Sequence, residues 1–229
     1  MGLFSATVKL IAPIFIVTSP ITSYLDQIHS IHRTRSSAGF SLDIPLIMLL
    51  ASILKVFYWL GSRYALSLLL QALLMIGMQS LLLHVALRNR PLSVSTHTPF
   101  AGEKAESSGR LYDFWRWRPV RPYWVFLAYF TLALVVLQVL GNGSESYTQL
   151  QGSVALTIEA ALPLPQLLSN QRRRGCKGFR PSVVVNWLVG DVFKLSYFFL
   201  SGGGEVPLAF KACAVFQFLC DLGLGVQYL

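Results

Sequence analysis

The sequence predicts an all-α membrane protein with seven transmembrane helices. Hydrophobic residues make up 54% of the 229 residues and charged residues only 13%, whereas a soluble domain carries about 25% charged residues. The mean hydropathy is +0.55. Seven stretches approach the roughly 20 mostly apolar residues that cross a bilayer: 4–25, 41–60, 64–87, 122–140, 149–168, 182–200 and 206–228. So little chain lies outside them that no separate soluble catalytic domain is expected.

A third observation is an internal repeat. A polar, basic segment between two apolar stretches occurs twice, and we call the copies, residues 26–41 and 165–180, the elbows. At one constant offset the following residues correspond: Gln27 and Gln166, Arg33 and Arg172, Gly39 and Gly178, Lys55 and Lys194, and Tyr58 and Tyr197. A repeat in a membrane protein usually indicates two related halves around a site near the midplane.

The distribution of Lys and Arg predicts the orientation. Most of the 19 basic residues fall in the connections after the first, third and fifth spans, while Arg63 stands alone in the opposite connections. By the positive-inside rule these three connections are cytosolic, so the N-terminus is lumenal and the C-terminus cytosolic. The net charge of +9 then reflects topology and attraction to anionic lipid, and no nucleic-acid partner is expected.

The first span is predicted to be retained rather than cleaved as a signal peptide, because its apolar run continues into the first elbow and Lys9 is its only basic residue. Pro13 and Pro20 predict a bend in this helix. Pro163 and Pro165 predict that the fifth helix is broken, since proline removes a backbone donor and frees carbonyl groups.

Such irregular backbone is tolerated at membrane depth where it is packed in protein or lines a wet cavity. Gln166 in the second elbow, and Gln27 in the first, can offer both a donor and an acceptor to the freed groups. Gly39 and Gly178 complete the matched elbow positions. Kinks of this kind allow one half of a protein to rock against the other, and a static packing kink is the alternative.

Two carboxylates stand out among the charges in the apolar spans. A charge at a helix centre costs about 2.5–3.5 kcal/mol, so it should face the protein interior, water or a partner. Under the repeat, Glu159 corresponds to Pro20 and Asp26 to Pro165, so each half has one proline and one acid. We expect Asp26 and Glu159 to face one shared hydrated cavity.

Two lysines, Lys55 and Lys194, occupy equivalent places in the second and sixth spans. No acid lies three or four residues from Lys55, so its expected partner is Asp26 or Glu159. Asp191 lies three residues before Lys194, on the same helical face. A neutralised structural pair and a place on a substrate path are both open for Asp191.

The remaining polar groups in the last two spans have simpler expectations. Asn186 should border the same cavity as the lysines. Lys211 and Asp221 are expected near the interface, or reaching towards it.

The long connection at 88–121 combines a linker-like stretch, 93–109, with a segment at 110–124 in which aromatic residues alternate with arginines. This second segment is expected at the headgroup level before the fourth helix. Palmitoylation of Cys176 in the second elbow is left open.

The sequence shows no catalytic group of residues, no phosphate-binding Gly-rich loop and no cluster with metal-ligand spacing. We therefore expect no enzyme activity, no cofactor and no metal, and no ATP-driven pump.

The second elbow, from Pro165-Gln166 to Gly178-Phe179, resembles the signature of the PQ-loop repeat family. The resemblance implies two three-helix bundles joined by a linking fourth helix. The implied domains are 1–87 with elbow 26–41, the cytosolic loop 88–121, helix 4 and a lumenal turn at 122–146, and 147–229 with elbow 165–180. Cystinosin-like transporters, SWEET sugar transporters and the KDEL receptor belong to this family.

The first elbow departs from the family pattern, with Asp26 in the place of proline. This departure and the long basic loop resemble a fungal branch of the family linked to phospholipid translocation. The branch implies an energy-independent scramblase of Golgi, trans-Golgi and endosomal membranes that opposes aminophospholipid flippases. Its partners would be membrane phospholipids, with trafficking or flippase-related proteins and an oligomer left open.

In this interpretation, a headgroup path would be lined by Asp26, Glu159, Lys55 and Lys194. Charge placement fits a second function equally well, a proton-coupled transporter of a small cationic or zwitterionic solute, in which Glu159 or Asp26 carries the proton. A receptor for a peptide sorting signal is the third alternative.

Overall fold

The computed structural model describes residues 3–37, 40–90, 114–115, 117, 119–141, 143–173, 181–200, 206 and 208–228. These residues form eight helices and contain no strand. The helices are α1 (Leu3–Thr34), α2 (Asp43–Ser62), α3 (Leu66–Arg88), α4 (Arg121–Leu140), α5 (Glu145–Ala160), α6 (Pro163–Arg173), α7 (Pro181–Leu200) and α8 (Leu208–Gln227).

Four helices, α2, α3, α4 and α8, are each long and apolar enough to cross a membrane. The expected class, an all-helical membrane protein, is therefore confirmed. The predicted break in the fifth span is also confirmed, since the chain forms two short helices there, α5 of 16 residues and α6 of 11 residues.

The break follows from proline chemistry. Pro163 lacks the N–H that would bond the carbonyl of Glu159 in a continuous helix. That carbonyl accepts instead from Leu162 N at 3.1 Å, a tighter hydrogen bond that is typical of a helix end. Pro163 itself is buried at the start of α6. The break thus places Glu159 in the last turn of α5.

In contrast, α1 runs unbroken through Pro13 and Pro20. Pro20 removes the backbone donor for the carbonyl of Ile16, and Ser19 Oγ donates to this same carbonyl at 2.8 Å. A serine side chain therefore replaces the missing backbone hydrogen bond, which explains how a helix with an internal proline stays continuous.

The helices pack in two sets. In the first, α3 packs against α1 and α2; in the second, α8 packs against α5, α6 and α7. Two interfaces join the sets, one between α1 and α7 and one between α2 and α5, while α4 lies against α2. We call these two interfaces the α1–α7 seam and the α2–α5 seam.

The α2–α5 seam is closely packed because glycine occupies two of its contact positions. A Cβ atom on Gly61 would lie 2.5 Å from Thr148 Oγ1, and one on Gly152 would lie 2.6 Å from the ring of Tyr58. Both distances are far below van der Waals contact. The α2–α5 seam is therefore sealed at two heights.

Part of the aromatic segment before α4 is buried in the protein. Trp115 is only 1% exposed, and its Nε1 donates to the carbonyl of Leu42 at 2.7 Å. Trp115 therefore packs inside the protein rather than against lipid, and the expected position of this segment at the headgroup level remains a prediction. A tryptophan can bury a large ring area when its N–H finds an acceptor, and Leu42, directly before α2, supplies one.

Candidate functional site

The carboxylate of Glu159 lies between two lysines. Lys55 Nζ is 2.9 Å from Glu159 Oε2, and Lys194 Nζ is 3.7 Å from Glu159 Oε1. The side chains of Lys55, Glu159 and Lys194 are 5%, 8% and 14% exposed. Buried charges of this kind persist only when they are paired. We call these three residues the ionic triad.

The two halves of the repeat contribute unequally to the triad. Lys55 on α2 and Lys194 on α7 are equivalent positions, and both face the one acid, Glu159 on α5. The partner of Lys55 is thus Glu159, one of the two expected, and Lys194 also donates to Gln217 Oε1 at 3.4 Å. Among the described residues Lys194 forms its ion pair with Glu159 rather than with Asp191.

Aromatic side chains cover one side of the triad. Tyr58, Tyr64 and Phe210 pack with ring centroids 5.2–6.2 Å apart, and Phe198 meets Phe210 edge-on. Tyr64 also donates its hydroxyl to the carbonyl of Lys55 at 2.8 Å.

On its other side, the triad borders a cavity of about 250 Å³. Polar side chains from α1, α3, α5, α7 and α8 line it: Ser19, Thr22, Ser23, Tyr24, Gln71, Glu159, Asn186, Asp191, Lys194 and Gln217. A water molecule occupies about 30 Å³ of liquid, so the cavity has room for several waters or a polar group of comparable size. A second cavity of about 10 Å³ touches Lys55, which is room for about one water.

The structure therefore brings together Glu159, Lys194, Asp191 and Asn186 around the larger cavity, and Lys55 directly behind it. It does not bring Asp26 there. Asp26 is exposed and lines neither cavity, so the expected cavity shared with Glu159 is not formed in this structure.

The position of Asp26 on α1 explains this outcome. It lies four residues, or about 6 Å along the helix axis, beyond Thr22, which does line the larger cavity. Glu159 is paired with the two lysines instead, because α2 packs directly on α5 and Lys194 reaches Glu159 from α7. A role for Asp26 on the path remains a prediction.

Asp221 was expected near the interface or reaching towards it, but its side chain does not reach the protein surface. Asp221 is 0% exposed and lies on α8 with its carboxyl group within hydrogen-bonding range of Asp191 on α7. Within the described part of the chain, neither carboxylate oxygen of Asp221 has a hydrogen-bond donor. Hydropathy places a residue at a depth but does not show which neighbour it faces.

Gln71 and Gln217 were also missed, although each is an amide inside an apolar span, which is itself a sign of an inward-facing polar group. The other elbow residues add little geometry. Gln27 is half-buried on α1. The side chains of Pro165 and Gln166, and all of Gly39 and Gly178, lie outside the described residues, so their hinge role remains a prediction. The described residues include no group of metal-binding side chains.

Fold and site together define a helical membrane protein with a buried polar centre between two copies of a sequence repeat. The PQ loop repeat model matches residues 11–77 and 147–204, so this chain belongs to the PQ-loop repeat family. The first matched region contains Lys55, and the second contains Glu159 and Lys194.

The chain is also similar to a curated protein, Scramblase ANY1 of Saccharomyces cerevisiae (strain ATCC 204508 / S288c). The two are 28% identical over an alignment of 287 positions, which covers 97% of this chain and 71% of that relative.

Proposed function

We propose that this protein is an energy-independent phospholipid scramblase. The observation that carries the proposal is a cavity of about 250 Å³, lined by both polar and apolar side chains, beside a buried ionic triad. The similarity to Scramblase ANY1 supports the same function.

The proposed architecture has seven spans. When α5 and α6 count as the two halves of one broken span, the eight helices form seven crossings. The first set (α1, α2, α3) and the second set (α5–α6, α7, α8) then correspond to two three-helix bundles, with α4 as the link. The N-terminus would be lumenal and the C-terminus cytosolic.

In the proposed mechanism, the headgroup crosses through the cavity while the acyl chains stay in the bilayer. Moving a polar group through hydrocarbon is costly unless its hydrogen bonds are replaced. Lys194 and Gln217 can donate to a phosphate, and Asp191 and Asn186 offer acceptors to an amine or hydroxyl. Such replacement lowers the barrier in both directions, which requires neither nucleotide hydrolysis nor a covalent step.

The proposed setting is the Golgi, the trans-Golgi network and endosomes, where a scramblase would oppose the lipid asymmetry made by flippases. Its partners would be membrane phospholipids, and a role without enzyme activity follows from this mechanism.

The proposal is tested by filling the cavity. Gly190 on α7 lines it, and a Cβ atom there meets no atom within 4 Å. Gly190→Leu should therefore insert without a clash and occupy the space that a headgroup needs. We expect the rate of lipid movement to fall several-fold in reconstituted liposomes, measured with a fluorescent lipid and dithionite quenching.

Gly77→Leu is the matched control, because Gly77 is an exposed helical glycine on α3 whose added Cβ also meets no atom within 4 Å. This variant should retain the native rate. If the native protein leaves the inner-leaflet lipid protected from dithionite, the scramblase proposal is wrong. If Gly190→Leu moves lipid at the native rate, the cavity is not the route.

One observation favours a second candidate, a proton-coupled transporter of a small cationic or zwitterionic solute. The buried pair of Asp191 and Asp221 provides a place near the cavity where a proton could be held between two carboxyl groups. Uptake of a solute driven by a pH gradient, together with no lipid movement, would select this function.

A further inference from the structure

Two side-chain contacts hold α1 against α7, and polar groups lie along the seam between these contacts. Phe15 and Phe193 stack with ring centroids 4.4 Å apart. Further along α1, the hydroxyl of Tyr24 lies within hydrogen-bonding range of Trp187, which comes earlier on α7. From the first contact to the second, the residue number rises along α1 and falls along α7, so the two helices are antiparallel.

This register places Ser19 near the level of Val189 and Thr22 near the level of Asn186, and all four residues line the larger cavity. Thr22, Asn186 and Val189 are nevertheless exposed. The cavity therefore reaches the protein surface between α1 and α7.

Exposed aliphatic side chains flank this opening. Ile14 on α1 and Val185 on α7 are 62% and 58% exposed, and both helices correspond to predicted spans. In the proposed seven-span arrangement, these exposed aliphatic side chains would face lipid tails. The opening thus joins a polar cavity to the hydrocarbon of the bilayer.

The other seam offers no such opening. Along α2 and α5, Gly61 contacts Thr148 and Gly152 contacts Tyr58 at distances that leave no room even for a methyl group. The two seams that join the helical sets therefore differ, one sealed and one partly open.

We propose that phospholipid headgroups enter the cavity sideways from the bilayer through the α1–α7 seam, and that the stacked pair Phe15–Phe193 closes the adjoining part of this seam. The inference rests on the proposed scramblase function and adds the route and its gate. A phospholipid is the occupant that fits, because its headgroup matches the Ser, Thr and Asn lining while its tails remain against the flanking aliphatic side chains.

The gate is tested by Phe193→Ala. Loss of the stacked ring opens the closed part of the seam, so lipid movement should become several-fold faster in reconstituted liposomes. The matched control is Phe130→Ala on α4, because Phe130 also stacks on a phenylalanine, Phe126 at 6.3 Å, and lines neither cavity. This control should retain the native rate.

The route is tested separately, without any rate. A phospholipid with a photoreactive headgroup should label peptides that contain residues 15–23 and 186–193, and Gly190→Leu should reduce that labelling. Labelling mainly on α2 and α5 would overturn the route, and this readout stands if Phe193→Ala fails to fold. An unchanged rate in a folded Phe193→Ala protein would overturn the gate.

The scramblase function and the route through the α1–α7 seam can be contradicted separately. If the native protein moves no lipid, the scramblase function is wrong whatever the labelling shows. If the native protein moves lipid but headgroup labelling avoids α1 and α7, only the seam is wrong.

Discussion

Lys55 Nζ lies 2.9 Å from Glu159 Oε2, although 104 residues separate them in the chain. The break before Pro163 ends α5 close to Glu159, which places its carboxylate beside Lys55. The free carbonyl groups at a helix C-terminus also favour nearby cations. The helix end caused by Pro163 therefore positions Glu159, and its free carbonyl groups favour the positive charges of Lys55 and Lys194.

Glu159→Gln should be strongly destabilising. It keeps the shape of the side chain but leaves the ammonium groups of Lys55 and Lys194 buried without their counter-charge. Breaking a buried ion pair from one side costs about 3–5 kcal/mol. We expect a clearly lower unfolding temperature in detergent and loss of lipid movement.

Asp26→Asn is the matched control, since Asp26 is exposed and outside the triad. It should unfold at the native temperature. The double variant Lys55→Met with Glu159→Gln should recover part of the stability that Glu159→Gln loses. If Glu159→Gln unfolds at the native temperature, the triad does not contribute to stability as argued.

A second prediction concerns the sealed seam. Gly152→Val adds a side chain where even its Cβ atom would lie 2.6 Å from the ring of Tyr58, and overpacking of this kind typically costs about 1–3 kcal/mol. Gly77→Val makes the same chemical change at an exposed position and should cost little. Thermal unfolding of both variants checks the comparison, and equal unfolding temperatures would contradict the close packing of α2 on α5.

The sequence predicted the membrane class and the broken helix, because each depends on local chemistry, and it singled out Lys55, Glu159 and Lys194, which the structure brings together. Proline position determines where α5 ends, and the repeat pairs Lys55 with Lys194. It did not predict which acid serves the lysines. Asp26 and Glu159 were equivalent candidates by depth, and only the packing of α2 on α5 and the reach of Lys194 from α7 to Glu159 separate them.

The burial of Asp221 shows the same limit. A carboxylate near the middle of a span can face lipid headgroups, water or another helix, and helical periodicity does not choose among these. The contact with Asp191 depends on how α7 and α8 are rotated against each other, which no short-range pattern in the chain encodes.

This acid pair gives a third prediction. Asp221→Asn supplies an N–H₂ donor where the two carboxyl groups now face each other, and unsatisfied buried acceptors cost about 1–3 kcal/mol. We expect the variant to unfold at a higher temperature than the native protein. Asp221→Ala, which removes the group without adding a donor, should not show the same gain. A lower unfolding temperature for Asp221→Asn would show that the pair is already satisfied.

The orientation gives a fourth prediction. The basic loop at 88–121 is expected in the cytosol. A protease site inserted after Ser107 should therefore be cut in sealed vesicles only when the protease is added on the cytosolic face. Cutting from the lumenal side alone would reverse the topology, and detergent-opened vesicles provide the control for accessibility.

A hydrogen bond also closes the base of this loop, from Arg90 Nη1 to the carbonyl of Trp117 at 2.8 Å. Since Trp115 is anchored on Leu42 in addition, the chain leaves the helices and returns to them at fixed points. The entropy of loop closure changes only slowly with length. The length of this connection can therefore differ among relatives without moving the helices on either side.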